Sequence, residues 1–124
     1  MNIGLVHYHI PYFIYAPSLV KPAIEKRMVS QIDLAPTVLG MMNLNYTSRF
    51  MGFDIYKTAE TSDRVFISTY QDMGYIRSGK LVILSPKQRL VMFQPDFISG
   101  MAKSIPLEDS LVNEAIVWYQ GASY

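Results

Sequence analysis

The stretch Val29–Leu39 constrains the fold more than any other part of this chain. It reads Val-Ser-Gln-Ile-Asp-Leu-Ala-Pro-Thr-Val-Leu. Asp33 carries a short carboxylate that can accept hydrogen bonds from the first turn of a helix, and Pro36 falls where a helical N–H has no partner to lose. Apolar residues then continue nearly all round the helical wheel as far as Met42. The pattern predicts a buried helix that begins at Asp33.

An extended apolar segment, Ile10–Ala16, precedes this helix. It is rich in aromatic and β-branched residues, with Pro11 near its start and Pro17 directly after it. Proline is tolerated where a strand begins and interrupts the ladder where a strand ends. Because both faces of the segment are apolar, it is predicted to be a buried strand covered on both sides, as in α/β sheets.

The middle of the chain has the pattern of an antiparallel meander. Four strands are predicted, at 64–70, 75–77, 80–84 and 89–93. Ser78-Gly79 separates the second from the third, which is a two-residue hairpin signal.

A second helix is predicted near the C-terminus. Leu107, Leu111 and Ala115 recur at helical spacing, and Trp118 continues the same face. Acidic residues fall in its first turn, and Ser104 is a candidate N-cap.

The composition places limits on function. The chain has 124 residues, a net charge of +1 and no cysteine, and 50% of its residues are hydrophobic. It is predicted to be one domain, 1–124, without the basic surface that nucleic-acid binding requires and without a Cys-based metal site. No apolar run approaches the roughly 20 residues that span a bilayer. So much apolar surface in a small domain indicates either a tightly packed core or a face that a missing segment or a partner covers.

Four motifs occur in an order that resembles one protein group. They are His7–Pro17, Ser30–Leu39, Phe50–Asp54 and Tyr75–Val82. Together they are similar to the C-terminal part of the catalytic domain of lipoteichoic acid synthases and phosphoglycerol transferases. This group lies within the sulfatase-like branch of the alkaline phosphatase superfamily.

The resemblance implies a fold and a reaction. The expected fold is α/β, alkaline-phosphatase-like and truncated, so that it appears as α+β with an antiparallel meander and two main helices. In the parent group a divalent metal (Mn, Mg or Zn) and a nucleophilic threonine transfer phosphoglycerol from a lipid-linked substrate, on the outer side of the cytoplasmic membrane. Those groups lie upstream of the matched motifs, so this chain is expected to hold no cofactor and to be inactive alone.

His7 and His9 are the candidate substrate-binding residues, and no catalytic or metal-ligating residue is predicted. Residues at i and i+2 of a strand share a face, so the two imidazoles could point at one spot beside the parent group's metal. The alternative is that both are structural histidines bonded to the backbone. Asp33 is interpreted as a helix cap rather than a catalytic acid, and Asp54 as a turn residue.

Arginines at 49, 64 and 77 are candidate phosphate contacts, although isolated surface arginines are the more common case. Two hypotheses follow for the whole chain. It is either the C-terminal fragment of a sulfatase-like phosphoglycerol transferase, completed by the missing N-terminal part, or a separate α+β interaction module that forms a homodimer through an apolar sheet face.

Overall fold

The fold is built on one antiparallel sheet, as seen in a computed structural model that describes residues 5–87, 89–99 and 101–123. The five strands lie side by side in chain order. Their bounds are β1 Arg64–Ser68, β2 Met73–Arg77, β3 Lys80–Ser85, β4 Arg89–Pro95 and β5 Ala102–Ile105. The two α-helices are α1, Leu34–Met41, and α2, Asp109–Ser123. The expected α+β fold with an antiparallel meander and two main helices is therefore confirmed.

The turn between β2 and β3 confirms the predicted hairpin. Arg77 pairs with Lys80, and the two residues between them have φ angles of 53° at Ser78 and 73° at Gly79. Positive φ at both central positions is the type I′ geometry, whose twist matches that of the flanking strands. Glycine adopts this conformation without steric cost, which is why a Ser-Gly pair serves here.

Both faces of the sheet contribute to the core. On one face Tyr75, Val82 and Met92 pack against α2 through Leu111 and Ala115. The opposite face carries a second cluster, with members at Ile76, Leu81, Phe93 and Ala102, and Met28 packs against it. The alternation of side chains along each strand thus divides its apolar residues between two layers.

Helix α1 lies where the sequence predicts it, but the prediction that it is buried is wrong. A 3-10 turn, Gln31–Asp33, leads into α1, in which Pro36 and Thr37 are the buried residues. Leu34 at its start and Met42 just after its end are exposed. The described part of the chain provides no layer over that side of the helix, which therefore remains apolar and open.

The predicted strand at Ile10–Ala16 is also absent. This segment has no regular secondary structure and lies outside the five-stranded sheet. Its aromatic side chains Tyr12, Phe13 and Tyr15 are exposed. A strand needs a neighbouring strand to accept and donate its ladder of hydrogen bonds, and the meander is complete without this segment.

Strand β5 was not predicted. It is short and includes Lys103 and Ser104, so it lacks the apolar pattern used to find the other strands. Ser104 pairs with Phe93 in the sheet and therefore cannot cap α2, which begins at Asp109. Among the described residues, no helix is both long enough and apolar enough to cross a membrane.

Candidate functional site

Arg64, at the start of β1, forms the centre of a buried ion pair. Only 2% of Arg64 is exposed. Its Nη1 donates to both carboxylate oxygens of Asp33 at 2.9 Å, and its Nη2 donates to the backbone carbonyl of Met51 at 3.1 Å. Because both charges are removed from water, their mutual attraction and hydrogen bonds must offset the loss of hydration. The interpretation of Arg64 as a surface residue is wrong.

Asp33 joins two distant segments through the same carboxylate. Besides the two bonds from Arg64, it accepts the backbone N–H of Ser30 at 3.0 Å and that of Phe53 at 2.8 Å. Asp33 stands at the N-cap position of α1, yet its side chain makes no capping hydrogen bond to that helix. The prediction that the Asp33 side chain caps α1 is therefore wrong. Its carboxylate instead accepts N–H groups from the turn before the helix and from a loop twenty residues later.

Three aromatic rings surround the guanidinium of Arg64. Its Cζ lies 3.8 Å from the ring centroid of Phe53, 4.9 Å from Trp118 and 5.6 Å from Phe66. A guanidinium held over ring faces gains cation–π attraction, which is larger when water is excluded. Within the described residues the Nε of Arg64 has no hydrogen-bond partner. We refer to Asp33, Arg64, Phe53 and Trp118 as the Asp33–Arg64 cluster.

Thr37 fixes the backbone that follows Phe53. Its hydroxyl donates to the carbonyl of Phe53 and accepts the N–H of Ile55, both at 3.2 Å. The next residue, Asp54, accepts the N–H of Tyr56 at 3.0 Å, which is an Asx turn as predicted. The hydroxyl of Thr37 is therefore occupied by structural hydrogen bonds on both sides.

Two glycines allow these segments to approach each other. A Cβ atom at Gly52 would overlap the backbone carbonyl oxygen of Ile32, and one at Gly40 would overlap the carboxylate of Asp54. Gly52 does not have a positive φ. Glycine is required because the loop backbone lies directly against the turn before α1.

The polar residues of the Val29–Leu39 motif therefore hold the fold together. The carboxylate of Asp33 is 2% exposed and receives four hydrogen bonds. A group this enclosed cannot reach a substrate, so it is unavailable as a general acid or base. The motif provides a buried electrostatic link between α1, the 51–55 loop and β1.

His7 and His9 do not have the geometry that the strand prediction assumed. His7 lies in the 3-10 turn Leu5–Tyr8, and His9 follows it in irregular chain. Both are exposed, so they do not behave as enclosed structural histidines in this chain. The argument that they share one strand face is wrong, while their assignment as substrate-binding residues stays a prediction.

A second polar group links β2 to α2. Arg77 lies directly opposite Arg64 in the β1–β2 register, and two facing arginines repel each other unless acids separate them. Glu114 of α2 accepts from Nη1 of Arg77 at 2.6 Å and from the hydroxyl of Tyr75 at 3.0 Å. Burial and the hydrogen bond to Glu114 raise the pKa of Tyr75. Each arginine thus has its own carboxylate, and Arg64 is too enclosed to bind phosphate.

Open depressions occur elsewhere on the surface. One of about 390 Å³ is lined by Gln71, Asp72, Pro86, Lys87 and Arg89. Another of about 320 Å³ lies around Arg27, whose guanidinium donates to the carboxylate of Asp63. That hydrogen bond raises the pKa of Arg27.

In the described ranges no three acidic or histidine side chains come together where they could hold a metal ion.

No protein-family model matches the sequence. The fold is similar to a solved structure of a protein in the alkaline phosphatase superfamily from Vibrio parahaemolyticus, with a TM-score of 0.78 and 26% sequence identity. This chain has an alkaline-phosphatase-like fold. The match covers 84% of this chain but 26% of the Vibrio protein, so the alkaline-phosphatase-like portion seen here spans about a quarter of that protein's length. The superfamily expected from the motifs is thereby confirmed.

Sequence reasoning missed the role of Arg64 in this alkaline-phosphatase-like fold. One signal was present: Arg64 begins a strand of alternating apolar residues, where its side chain falls on the same face as Phe66. A charged residue on the apolar face of a strand needs a buried partner. Asp33, the acid in an otherwise uncharged motif, was the residue available to provide it.

Proposed function

We propose that this chain is the C-terminal part of a sulfatase-like phosphotransferase or hydrolase that acts on phosphate or sulfate esters. The observation that carries the proposal is the match to the Vibrio protein over 84% of this chain and a quarter of that one. In this proposal the chain supplies scaffold, because its motif residues are buried in the Asp33–Arg64 cluster. The nucleophile and the ligands of a divalent metal (Mn, Mg or Zn) come from outside these 124 residues.

At the finer level we place the parent enzyme among the phosphoglycerol transferases. The motif order from His7 to Val82 supports this, since it resembles that group throughout. The substrate would be a lipid-linked phosphoglycerol, presented outside the cytoplasmic membrane to which the parent enzyme is anchored. His7 and His9 are exposed and lie next to the apolar 10–16 segment, and in this proposal they contact the phosphoester.

Assay of the isolated chain tests the proposed division of labour. The chain is incubated with aryl phosphomonoesters, aryl phosphodiesters and aryl sulfates, each with Mn²⁺, Mg²⁺ or Zn²⁺. We expect no turnover above the metal-only control, because the described residues bring no metal-ligating group together. Metal-dependent turnover by the pure chain would show that it contains its own active centre and would overturn the proposal.

A second candidate function is an interaction module that forms a homodimer. The exposed apolar residues in the first half of the chain favour it, for example Phe13, Tyr15 and Ile24. Size-exclusion chromatography with light scattering separates the two candidates. A stable dimer with a sharp unfolding transition would favour the module, whereas a monomer would favour the enzyme part.

A further inference from the structure

The two ends of the five-stranded sheet differ in how their basic residues are neutralised. At the end where β1 begins and β2 turns into β3, Arg64, Arg77 and Lys80 each have a carboxylate partner. At the opposite end, Lys87 lies in the turn between β3 and β4, and Arg89 begins β4. Among the residues that the structure describes, neither Lys87 nor Arg89 has an ion-pair partner. These two cations are therefore available to an anion from outside the chain.

A depression in the surface lies beside these two cations. The register of the strands brings the β1–β2 turn and the β3–β4 turn to the same end of the sheet. The depression between the turns is open and has a volume of about 390 Å³. Its lining residues come from both turns and are Gln71, Asp72, Pro86, Lys87 and Arg89. This volume falls within the range of about 300–1,000 Å³ that is usual for small-molecule sites.

The β1–β2 turn presents the carboxylate of Asp72 to this depression. The N–H of Thr69 donates to the carbonyl of Asp72 at 2.9 Å, and the N–H of Asp72 donates to the hydroxyl of Thr69 at 3.2 Å. These bonds hold the turn and use the backbone groups of Asp72. Within the described part of the chain, the carboxylate of Asp72 makes no hydrogen bond. It can therefore accept a hydrogen bond from a ligand.

Lys87 has an uncommon backbone conformation. Its φ angle is 64°, and it follows Pro86 directly. A proline followed by a residue with positive φ is the pattern of a type II turn, in which glycine or asparagine is favoured at the second of these positions. Residues held in such sparsely populated conformations cluster at ligand-binding sites. Here the turn places a charged side chain, rather than a glycine, at the border of the depression.

The lining residues indicate the chemistry of the ligand. Lys87 and Arg89 exceed the carboxylate of Asp72 by one positive charge, so the depression favours an anion. The guanidinium of an arginine matches the oxygens of a phosphate, and the ammonium of a lysine adds a point charge. The carboxylate would repel a bare phosphate but accepts a hydrogen bond from a hydroxyl, and the amide of Gln71 can bond to either group. This combination fits a phosphate ester that carries hydroxyl groups.

We infer that the depression between the β1–β2 and β3–β4 turns binds a phosphate ester of a polyol, with the phosphate on Lys87 and Arg89 and a hydroxyl on Asp72. The inference goes beyond the proposed function and does not depend on it, because the site consists of residues of this chain and needs neither a metal nor a nucleophile. The same ester chemistry occurs in soluble glycerol phosphate and in the phosphatidylglycerol headgroups of a lipid surface.

Titration of the full chain with glycerol phosphate, followed by amide NMR spectra, tests this inference. The ionic strength is kept constant with NaCl, because screening alone alters contacts between exposed charges. We expect saturable shifts at the amides of Gln71, Asp72, Lys87 and Arg89. Shifts that do not saturate, or that spread evenly over the chain, would overturn the inference.

Lys87→Gln and Arg89→Gln are the test variants, and Lys103→Gln is the matched control. All three residues are exposed, so the substitutions should leave the unfolding midpoint unchanged. We expect each test substitution to weaken binding by about fivefold, which corresponds to the upper range for one exposed charge contact. Lys103 pairs with Gln94 toward the other end of the sheet, so the control should bind like the unsubstituted chain. An equal loss in the control would show a general attraction of anions to basic residues and would overturn the site.

Inorganic phosphate tests the role assigned to Asp72. It has no polyol hydroxyls, so we expect it to bind more weakly than glycerol phosphate, and Asp72→Ala should abolish this preference. Equal binding of the two compounds by the unsubstituted chain would overturn the polyol ester as the ligand.

Sedimentation with lipid vesicles distinguishes the two sources of the ester. Vesicles of phosphatidylglycerol are compared with vesicles of phosphatidylcholine, whose headgroup has no net charge and no hydroxyl. Binding to phosphatidylglycerol that is lost in Arg89→Gln and kept in Lys103→Gln would identify a lipid headgroup as the ligand. Saturable NMR shifts without vesicle binding would identify a soluble ester, and the absence of both would overturn the inference.

Discussion

Replacing Asp33 by asparagine should be among the most damaging single substitutions in this chain. Asparagine keeps the size and shape of the side chain but removes its charge and turns one acceptor into an N–H₂ donor. In either orientation that donor would face the guanidinium of Arg64, together with the N–H of Ser30 or that of Phe53, all of which donate to Asp33 at 2.8–3.0 Å. The substitution therefore loses hydrogen bonds and creates a contact between two donors.

The expected cost follows from the burial of both partners. Removing one charge of a buried pair costs about 3–5 kcal/mol, because the other charge remains buried without compensation. Arg64 is 2% exposed, so water cannot reach it to replace the lost carboxylate. Natural domains are stable by only about 5–15 kcal/mol, so this single change removes a large share of the total.

Urea unfolding followed by tryptophan fluorescence measures this cost. The chain has one tryptophan, Trp118, whose ring lies 5.7 Å from that of Phe53 and 4.9 Å from the guanidinium of Arg64. Its emission therefore reports directly on the Asp33–Arg64 cluster. A lower midpoint with an unchanged slope would show a loss of stability rather than a change in the unfolded state.

Asp54→Asn is the matched control. Asp54 pairs with the exposed Lys57 at 3.6 Å, and an asparagine there can still accept the N–H of Tyr56. Because the Lys57 side chain is 72% exposed, solvent screens this pair, and we expect it to contribute about 0–1 kcal/mol. If Asp33→Asn costs less than about 1 kcal/mol, or no more than Asp54→Asn, the buried pair does not stabilise the fold as argued.

Three further predictions concern the same framework. Gly52→Ala should destabilise the chain by about 1–3 kcal/mol or more in urea unfolding, because the new Cβ would overlap backbone atoms. Gly121→Ala is the control and should be neutral or stabilising, because its Cβ would meet only a methyl group at 3.4 Å. Equal effects of the two substitutions would contradict the close approach at Gly52. Arg64→Lys should cost stability and shift Trp118 emission, since one ammonium nitrogen cannot replace both the bonds to Asp33 and the bond to the Met51 carbonyl and has no planar face to stack on the rings; unchanged values would refute this. The pKa of Tyr75 is raised in the folded chain, so its stabilising contribution is full below about pH 10 and is lost as pH rises through the folded-state pKa. Tyr75→Phe should therefore reduce the decline of the free energy of unfolding at alkaline pH. An identical pH profile in the variant would contradict this.

The local elements of this fold could be predicted because their signals are short-range. The turn at Ser78-Gly79 needs two residues with positive φ, and the strands on either side alternate in the usual way. The helix beginning near Asp33 was likewise visible from its own residues. Strand β5 escaped because an edge strand with Lys103 and Ser104 has no apolar alternation to detect.

The failures concern tertiary context. Ile10–Ala16 has a strand's sequence, but a strand exists only with a neighbour, and the described chain offers it none. Helix α1 was expected to be buried because its residues are apolar on nearly all sides, but only part of it is buried. Both errors have the same cause. Ile10–Ala16 and α1 are apolar enough to be buried, but the described residues of this chain do not bury them.

The Asp33–Arg64 cluster also explains why the Val29–Leu39 motif contains residue types found in catalytic sites, although its polar residues make structural hydrogen bonds. An acid, a threonine and a glycine-containing loop near one another are the kinds of residues that catalytic sites use. Here Asp33 binds Arg64 and two backbone N–H groups, Thr37 bridges Phe53 and Ile55, and Gly52 gives the loop room. Such a cluster tolerates few substitutions, because each member satisfies a buried partner that no water can replace. A sequence pattern can therefore be as restrictive as an active site and still serve only to hold a loop, a helix and a strand together.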